Sequence, residues 1–252
     1  MNKRSMRILG FSQIRDMLVR LAPSRLSKEA ARALKPDTDE DTVVKSLTDT
    51  EEAVVCLEKE GQIPLGGITD IRPFLEKAKR EVTLSADECI AVWENAQRYG
   101  QIQDFFAPKE AEYPQLSQRA ETLGDFSLLV QRVGAVFDEN HQVRDNASVE
   151  LARLRTRIAE LERRTKRYIQ QILADKSYQK YFQDTLVTVR NNRSVIPVKQ
   201  EYRHAFPGIV HDISASGATL YVEPLAVVDA NNDLQTAKLA EEKEIERIYR
   251  RL

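Results

Sequence analysis

The sequence predicts a mainly α protein, with a helical region over residues 1–140 and a protruding antiparallel two-helix arm over 141–252 that carries a small antiparallel β unit. Three observations predict it. Charged residues make up 31% of the 252 and aromatics 7%, with only 9 glycines, a composition of long exposed helices rather than of a compact β protein. Apolar residues recur at spacings of three and four through most of the chain. Around 187–223 that period gives way to short β-branched runs separated by turn residues.

The elements follow in order. Phe11, Ile14, Leu18 and Leu21 share a helical face, and Pro23 ends that helix. Thr38, then Asp39, Glu40 and Asp41, makes an acidic first turn for a helix carrying Val43, Val44, Leu47, Val54 and Leu57 and stopping near Gly61. Pro64, Gly66 and Gly67 mark a loop. Ser85 and Glu88 have capping-box spacing and open a helix through Trp93. A further helix is expected over 116–136. From Leu151, residues Leu154, Ile158, Leu161, Thr165, Tyr168 and Ile172 form a heptad seam with one polar interruption at Thr165, on a long helix over 147–178. The β unit covers 186–223. Asn191-Asn192 is a two-residue hairpin turn, because Asn tolerates positive φ. Pro197 lacks an N–H and predicts a sheet edge for its strand. Ser214-Ala215-Ser216-Gly217 turns the chain between 209–213 and 219–223. A return helix over 225–252 has Ile245, Ile248 and Leu252 as its seam, and its abrupt charged end predicts a piece of a longer protein.

Composition also excludes. The N-terminal MNKRSMRILGF has no long apolar region, and no run approaches the roughly 18–20 apolar residues of a membrane span, so a soluble, cytoplasmic protein with no membrane partner is expected. Cys56 and Cys89 have no second Cys or His at ligand spacing and read as reduced, partly buried thiols. His141, His204 and His211 lack metal-ligand spacing. Asp37, Asp39 and Asp41 lack the Gly and terminal Glu of a calcium loop, so no metal site is expected. No G-x-x-x-x-G-K-[ST] is present, so no nucleotide binding is expected.

Net charge is only −1, but it is unevenly placed. Residues 150–203 hold 13 Lys or Arg against six acids, a local +7 that points to a polyanion. Ion pairing competes with that reading along the helix, where Arg157 and Arg163 would fall near Glu246 and Glu241. Around the hairpin, Arg190, Arg193, Lys199 and Arg203 have few acids nearby in sequence and are the candidate phosphate-binding residues. Few aromatics lie between them, so base stacking is not expected there. His211, Asp212 and Ser214 are the components of a hydrolase, but neighbours in a strand point to opposite faces, and no catalytic residue is expected.

VTVRNNRSVIPVKQEY at 187–202 and GIVHDISASGATLYVEP at 208–224 resemble the second bacterial branch of the MutS family, the one that usually carries a C-terminal Smr (small MutS-related) nuclease domain. LGFSQIRDMLVRLAPS at 9–24, TDTEEA at 48–53, GITDIRP at 67–73, DNASVELARLR at 145–155 and NNDLQTAKLAEEKEIERI at 231–248 agree with it. One local departure is Asn140-His141, where the family often has a Gly-containing turn; Asn can adopt the same backbone. The resemblance implies a lever over 1–140 with a clamp over 141–252. It places ATP and Mg2+ in an ABC-type ATPase that dimerises the full-length protein, leaving this piece monomeric or weakly dimeric. It implies a nucleic-acid partner, either duplex or branched DNA or the RNA of stalled, collided ribosomes, and implies recombination and endonuclease roles for the full-length protein alone. The chain itself then reads as a non-catalytic nucleic-acid-binding module. A passive coiled-coil scaffold or dimerisation arm is the competing reading, and a basic β unit argues against it.

Overall fold

A computed structural model describes Met6 and residues 8–252; residues 1–5 and 7, within the N-terminal stretch read above as having no long apolar region, lie outside the described residues. The protein is mainly helical with one small antiparallel sheet. It divides into two compact units, Met1–Gln142 with Tyr249–Leu252, and Val143–Ile248.

Among the described residues, the first unit carries the helices α1 (Phe11–Leu21), α2 (Arg25–Ala33), α3 (Glu40–Glu60), α4 (Arg72–Lys79), α5 (Ala86–Phe106), α6 (Pro114–Glu121) and α7 (Ser127–Gly134). Asp39 caps α3, its carboxylate accepting from Thr42 N at 3.0 Å, and Gly61 closes the helix at φ 75°. Ser85 and Glu88 form the expected reciprocal cap of α5. The single helix expected over 116–136 is two helices. The chain breaks around Gly124, and the Asp125 carboxylate, accepting from Ser127 N at 2.8 Å, starts the second. Cys56, Phe106 and Tyr113 centre the core. Beside them the Glu52 carboxylate accepts from Gln115 N and Leu116 N, at 2.9 and 3.0 Å, where the first turn of α6 has no N–H partner of its own. Both cysteines are free and buried, and burial pushes the Cys89 thiol up to about 11. In the 138–142 turn His141, not Asn140, takes the positive φ, 61°.

The second unit is built from α8 (Val149–Ala174), β1 (Thr188–Arg190), β2 (Arg193–Lys199), β3 (Gly208–Ile213), β4 (Thr219–Pro224) and α9 (Val228–Tyr249, of which Tyr249 belongs to the first unit). Sheet order is β1-β2-β4-β3. Asn191 and Asn192 make the hairpin turn at φ 49° and 60°. By order β2 is an inner strand, which corrects the edge expected from Pro197. The physical cause is a division of labour along β2. Residues 193–195 pair with β1 and 196–199 with β4, so β1 has ended before Pro197. Pro197 O accepts from Gln183 N at 2.8 Å, on the flank away from β4, and the missing N–H falls on that same flank. Gly208 is required by closeness, since a Cβ there would lie 2.6 Å from Glu223 O.

α8 ends at Ala174, short of 178, because Asp175 leaves the helical region and its carboxylate accepts instead from Ser177 N at 2.9 Å. Its buried face is Leu151, Leu154, Ile158, Leu161, Thr165, Ile169 and Leu173. After Thr165 the seam therefore departs from the expected Tyr168 and Ile172. Steps of four replace the heptad, because the last turns of α8 pack on the sheet while the middle packs on α9. Ile158 and Leu161 meet Leu234 and Ala237, whereas Ile169 and Leu173 join Ile196, Val198, Leu220 and Val222. On α9, Leu234, Ala237, Glu244 and Ile248 are buried; Ile245 is half-buried and Leu252 exposed, so the expected seam is only partly right.

Candidate nucleic-acid interface

The seven cations of α8 and the two arginines of the hairpin decide where a polyanion could bind, and their surroundings differ sharply. Arg153 pairs with Glu150 at 2.8 Å. Arg155 is half-buried and bridges Glu241 at 2.8 Å, Asp145 at 2.5 Å and Val143 O at 2.7 Å. Arg157 reaches Glu160 at 3.9 Å. The pairs expected from sequence, Arg157 with Glu246 and Arg163 with Glu241, do not form. Glu241 faces Arg155, about two turns earlier on α8, and Lys238 faces Glu162 at 2.8 Å. The register is displaced because the last turns of α8 cover the sheet, so α9 lies alongside the earlier turns.

Beyond Glu162 the acids stop. Among the described residues, Arg163, Lys166 and Arg167 have no acidic partner; the Arg163 Nε donates only to Ala159 O, at 3.2 Å. With Glu160 and Gln170 they line a shallow open depression of about 520 Å³. The spacing of three and four holds them on one helix face.

The hairpin arginines stand in the opposite condition. Arg193 Nη1 donates to Glu223 Oε1 at 3.1 Å and to Asn232 Oδ1 at 2.7 Å. Glu223 is 1% exposed. Its Oε1 also accepts from Asn231 Nδ2 at 2.7 Å, and its Oε2 lies 2.6 Å from His211 Nε2. Arg190 stacks over Tyr221, 4.2 Å to the ring centre, and meets Asp212 at 3.2 Å. Asn191 Nδ2 donates to His211 O at 3.0 Å. The hairpin is thus tied to β3, β4 and α9 through its own turn residues. Few acids stand near Arg190 and Arg193 in sequence, as expected, but Asp212 and Glu223, distant in sequence, are adjacent in space. Lys199 and Arg203 are different again. Lys199 Nζ donates to Lys180 O at 3.3 Å, and exposed Arg203 follows the short turn Gln200–Tyr202.

Sequence reasoning missed the Glu223 network. Alternation in β4 sets Glu223 on the face opposite Leu220 and Val222, which reads as solvent, until the hairpin covers that face. The available signal was Asn231-Asn232 opening a helix soon after an isolated acid in an apolar strand. A bulge between Val210 and Asp212 turns His211 toward Glu223. Of the hydrolase components, then, His211 faces Glu223, Asp212 faces Arg190, and Ser214 Oγ accepts from Thr219 N at 3.1 Å; they are not brought together. Among the described residues no group of three His, Cys, Asp or Glu could hold a metal ion, and no helix is long and apolar enough to cross a membrane.

No family model matches the chain. Similarity to whole proteins is extensive. The chain is 38% identical over 255 residues to an endonuclease MutS2 of Geobacillus sp. (strain WCH70), covering 100% of this chain and 32% of that protein. It is 39% identical over 253 residues to a putative endonuclease MutS2 of Bacillus subtilis (strain 168), covering 99% and 32%. It is 40% identical over 251 residues to an endonuclease MutS2 of Geobacillus kaustophilus (strain HTA426), covering 98% and 32%. The chain spans about a third of the length of these relatives.

Proposed function

We propose, from the premise that this chain is MutS2-like from end to end, that its second unit is a nucleic-acid-binding module that grips the phosphate backbone without reading sequence. The observation that carries the reading is the row of cations without acidic partners on α8, Arg163, Lys166 and Arg167, with Lys199 and Arg203 as further contacts. Each brings a positive charge to solvent with no ion pair to break first, so phosphate contact costs only local desolvation. Arg190 and Arg193 serve the fold. Contacts made by side chains on one helix face position a duplex but carry no base information. The relatives' name, endonuclease MutS2, supplies the larger setting, a nuclease acting on nucleic acid, and in that setting this chain binds while catalysis, ATP and Mg2+ belong elsewhere in a longer protein. Duplex or branched DNA and ribosomal RNA offer the same phosphate chemistry.

Anisotropy titration of labelled duplexes of unrelated sequence, together with an RNA hairpin, tests this. Replacing Arg163, Lys166 and Arg167 by Glu lowers affinity for all of them alike, by at least about tenfold at low salt. Unchanged affinity contradicts the proposal. A passive scaffold, the competing reading, binds none of these ligands at any salt concentration.

A further inference from the structure

The sheet end of the second unit carries a tyrosine face that the charge reading leaves unused. Two short helical turns, Gln179–Tyr181 and Gln200–Tyr202, each finish on a tyrosine. They lie 21 residues apart in sequence, yet the Tyr181 and Tyr202 rings are 4.9 Å apart between centres. Tyr178 joins them, 6.0 Å from Tyr181. All three are half-buried, with inner edges against the sheet core through Phe206. Tyr113 shows what a structural tyrosine looks like in this protein, fully buried with its hydroxyl bonded to Glu60 at 3.4 Å. Among the described residues, no protein group is hydrogen-bonded to the hydroxyls of Tyr178, Tyr181 or Tyr202.

Cations border this face. Lys180 Nζ rides 5.2 Å from the Tyr181 ring centre, Lys199 Nζ is held at Lys180 O, and Arg203 immediately follows Tyr202. Half-buried rings beside ammonium and guanidinium groups without acidic partners match the two halves of an unpaired nucleotide, a flat base and an anionic phosphate. A base pair inside a duplex cannot present its face to a side chain, so the fit is to single strands.

We propose that Tyr181 and Tyr202 form a stacking site for the bases of single-stranded nucleic acid, with Lys180, Lys199 and Arg203 holding the adjoining phosphates. The proposal rests on the reading of this unit as a nucleic-acid binder and adds to it a preference for unpaired strands. A base on Tyr181 displaces the Lys180 ammonium outward, toward the phosphate of the same nucleotide. Stacking is tolerant of base identity because every base has a π face, so the site selects strandedness and not sequence.

The test compares three probes on the whole chain by anisotropy: an oligothymidylate, an abasic oligonucleotide of the same length and charge, and a duplex. The oligothymidylate is expected to bind about 5- to 150-fold more tightly than the abasic strand, the range of one stacked base. Tyr181→Leu and Tyr202→Leu keep apolar bulk against the core and remove the ring; each brings the oligothymidylate down toward the abasic strand and leaves duplex binding unchanged. Tyr181→Phe, which keeps the ring, retains full affinity. Equal affinity of the unmodified protein for oligothymidylate and abasic strand overturns the proposal without any variant, even should a Leu variant fail to fold. Duplex binding that persists in that case leaves the phosphate-grip reading standing; loss of binding to all three probes removes both.

Discussion

Arg193 and Arg167 carry the same charge within one compact unit, and the fold treats them oppositely. Arg193 is held by Glu223 and Asn232 where the hairpin closes over β4. Arg167 stands on the exposed face of α8 beyond the last acid of that helix. A charged residue near a turn is not thereby free, and one on a long helix is not thereby paired. What decides is whether the chain returns an acid to it from elsewhere. α9 brings Glu241 to Arg155, but the last turns of α8 lie on the sheet, where no acid of α9 pairs with Arg163 or Arg167.

Substitutions along this gradient can break the comparison. Arg193→Ala leaves a buried carboxylate short of its cation and is expected to cost about 3–5 kcal/mol of stability. Urea denaturation measures it, and a loss under about 1 kcal/mol would mean that Glu223 does not need the guanidinium. Arg155→Gln, which severs partly exposed pairs to Glu241 and Asp145, is expected to cost roughly 1–2 kcal/mol by the same measurement. Thr165→Val should act in the other direction. The Thr165 hydroxyl is buried and has no partner, so exchanging it for a methyl group of similar volume is expected to stabilise by about 1 kcal/mol and raise Tm by a few degrees. A destabilised Thr165→Val protein would show that the hydroxyl has a function in the α8 seam. Arg157→Gln sits at the small end, within about 0.5 kcal/mol, because the Arg157–Glu160 pair is exposed and 3.9 Å long.

Much of the architecture was legible in local signals. The Ser85–Glu88 cap, the Asn191-Asn192 turn and the early seam from Leu151 to Thr165 are each determined by a few neighbouring residues, and each formed as expected. α2 and α4 were missed because their apolar stripes are short, and Gly124 was not given its weight as a breaker. The seam after Thr165 could not be read, since Ile169 and Leu173 become core only once a sheet distant in sequence packs on them. The candidate site shows the same limit. The local excess of positive charge at 150–203 was plain, but which cations remain free depends on Glu223, Asp212 and Glu241, all contributed from outside that segment. The tyrosine face was equally hidden, its two rings coming from turns on either side of the β1–β2 hairpin.

The salt dependence of duplex binding tests the central claim most directly. If Arg163, Lys166, Arg167, Lys199 and Arg203 each meet one phosphate, log K falls against log salt with a slope of about −4.5, from roughly −0.9 per contact. Replacing Arg163, Lys166 and Arg167 by Gln then flattens the slope to about −1.8, while Arg193→Ala, assayed under conditions where it remains folded, keeps it near about −4.5. A slope that survives the triple substitution and collapses with Arg193→Ala would contradict the account and return the grip to the hairpin.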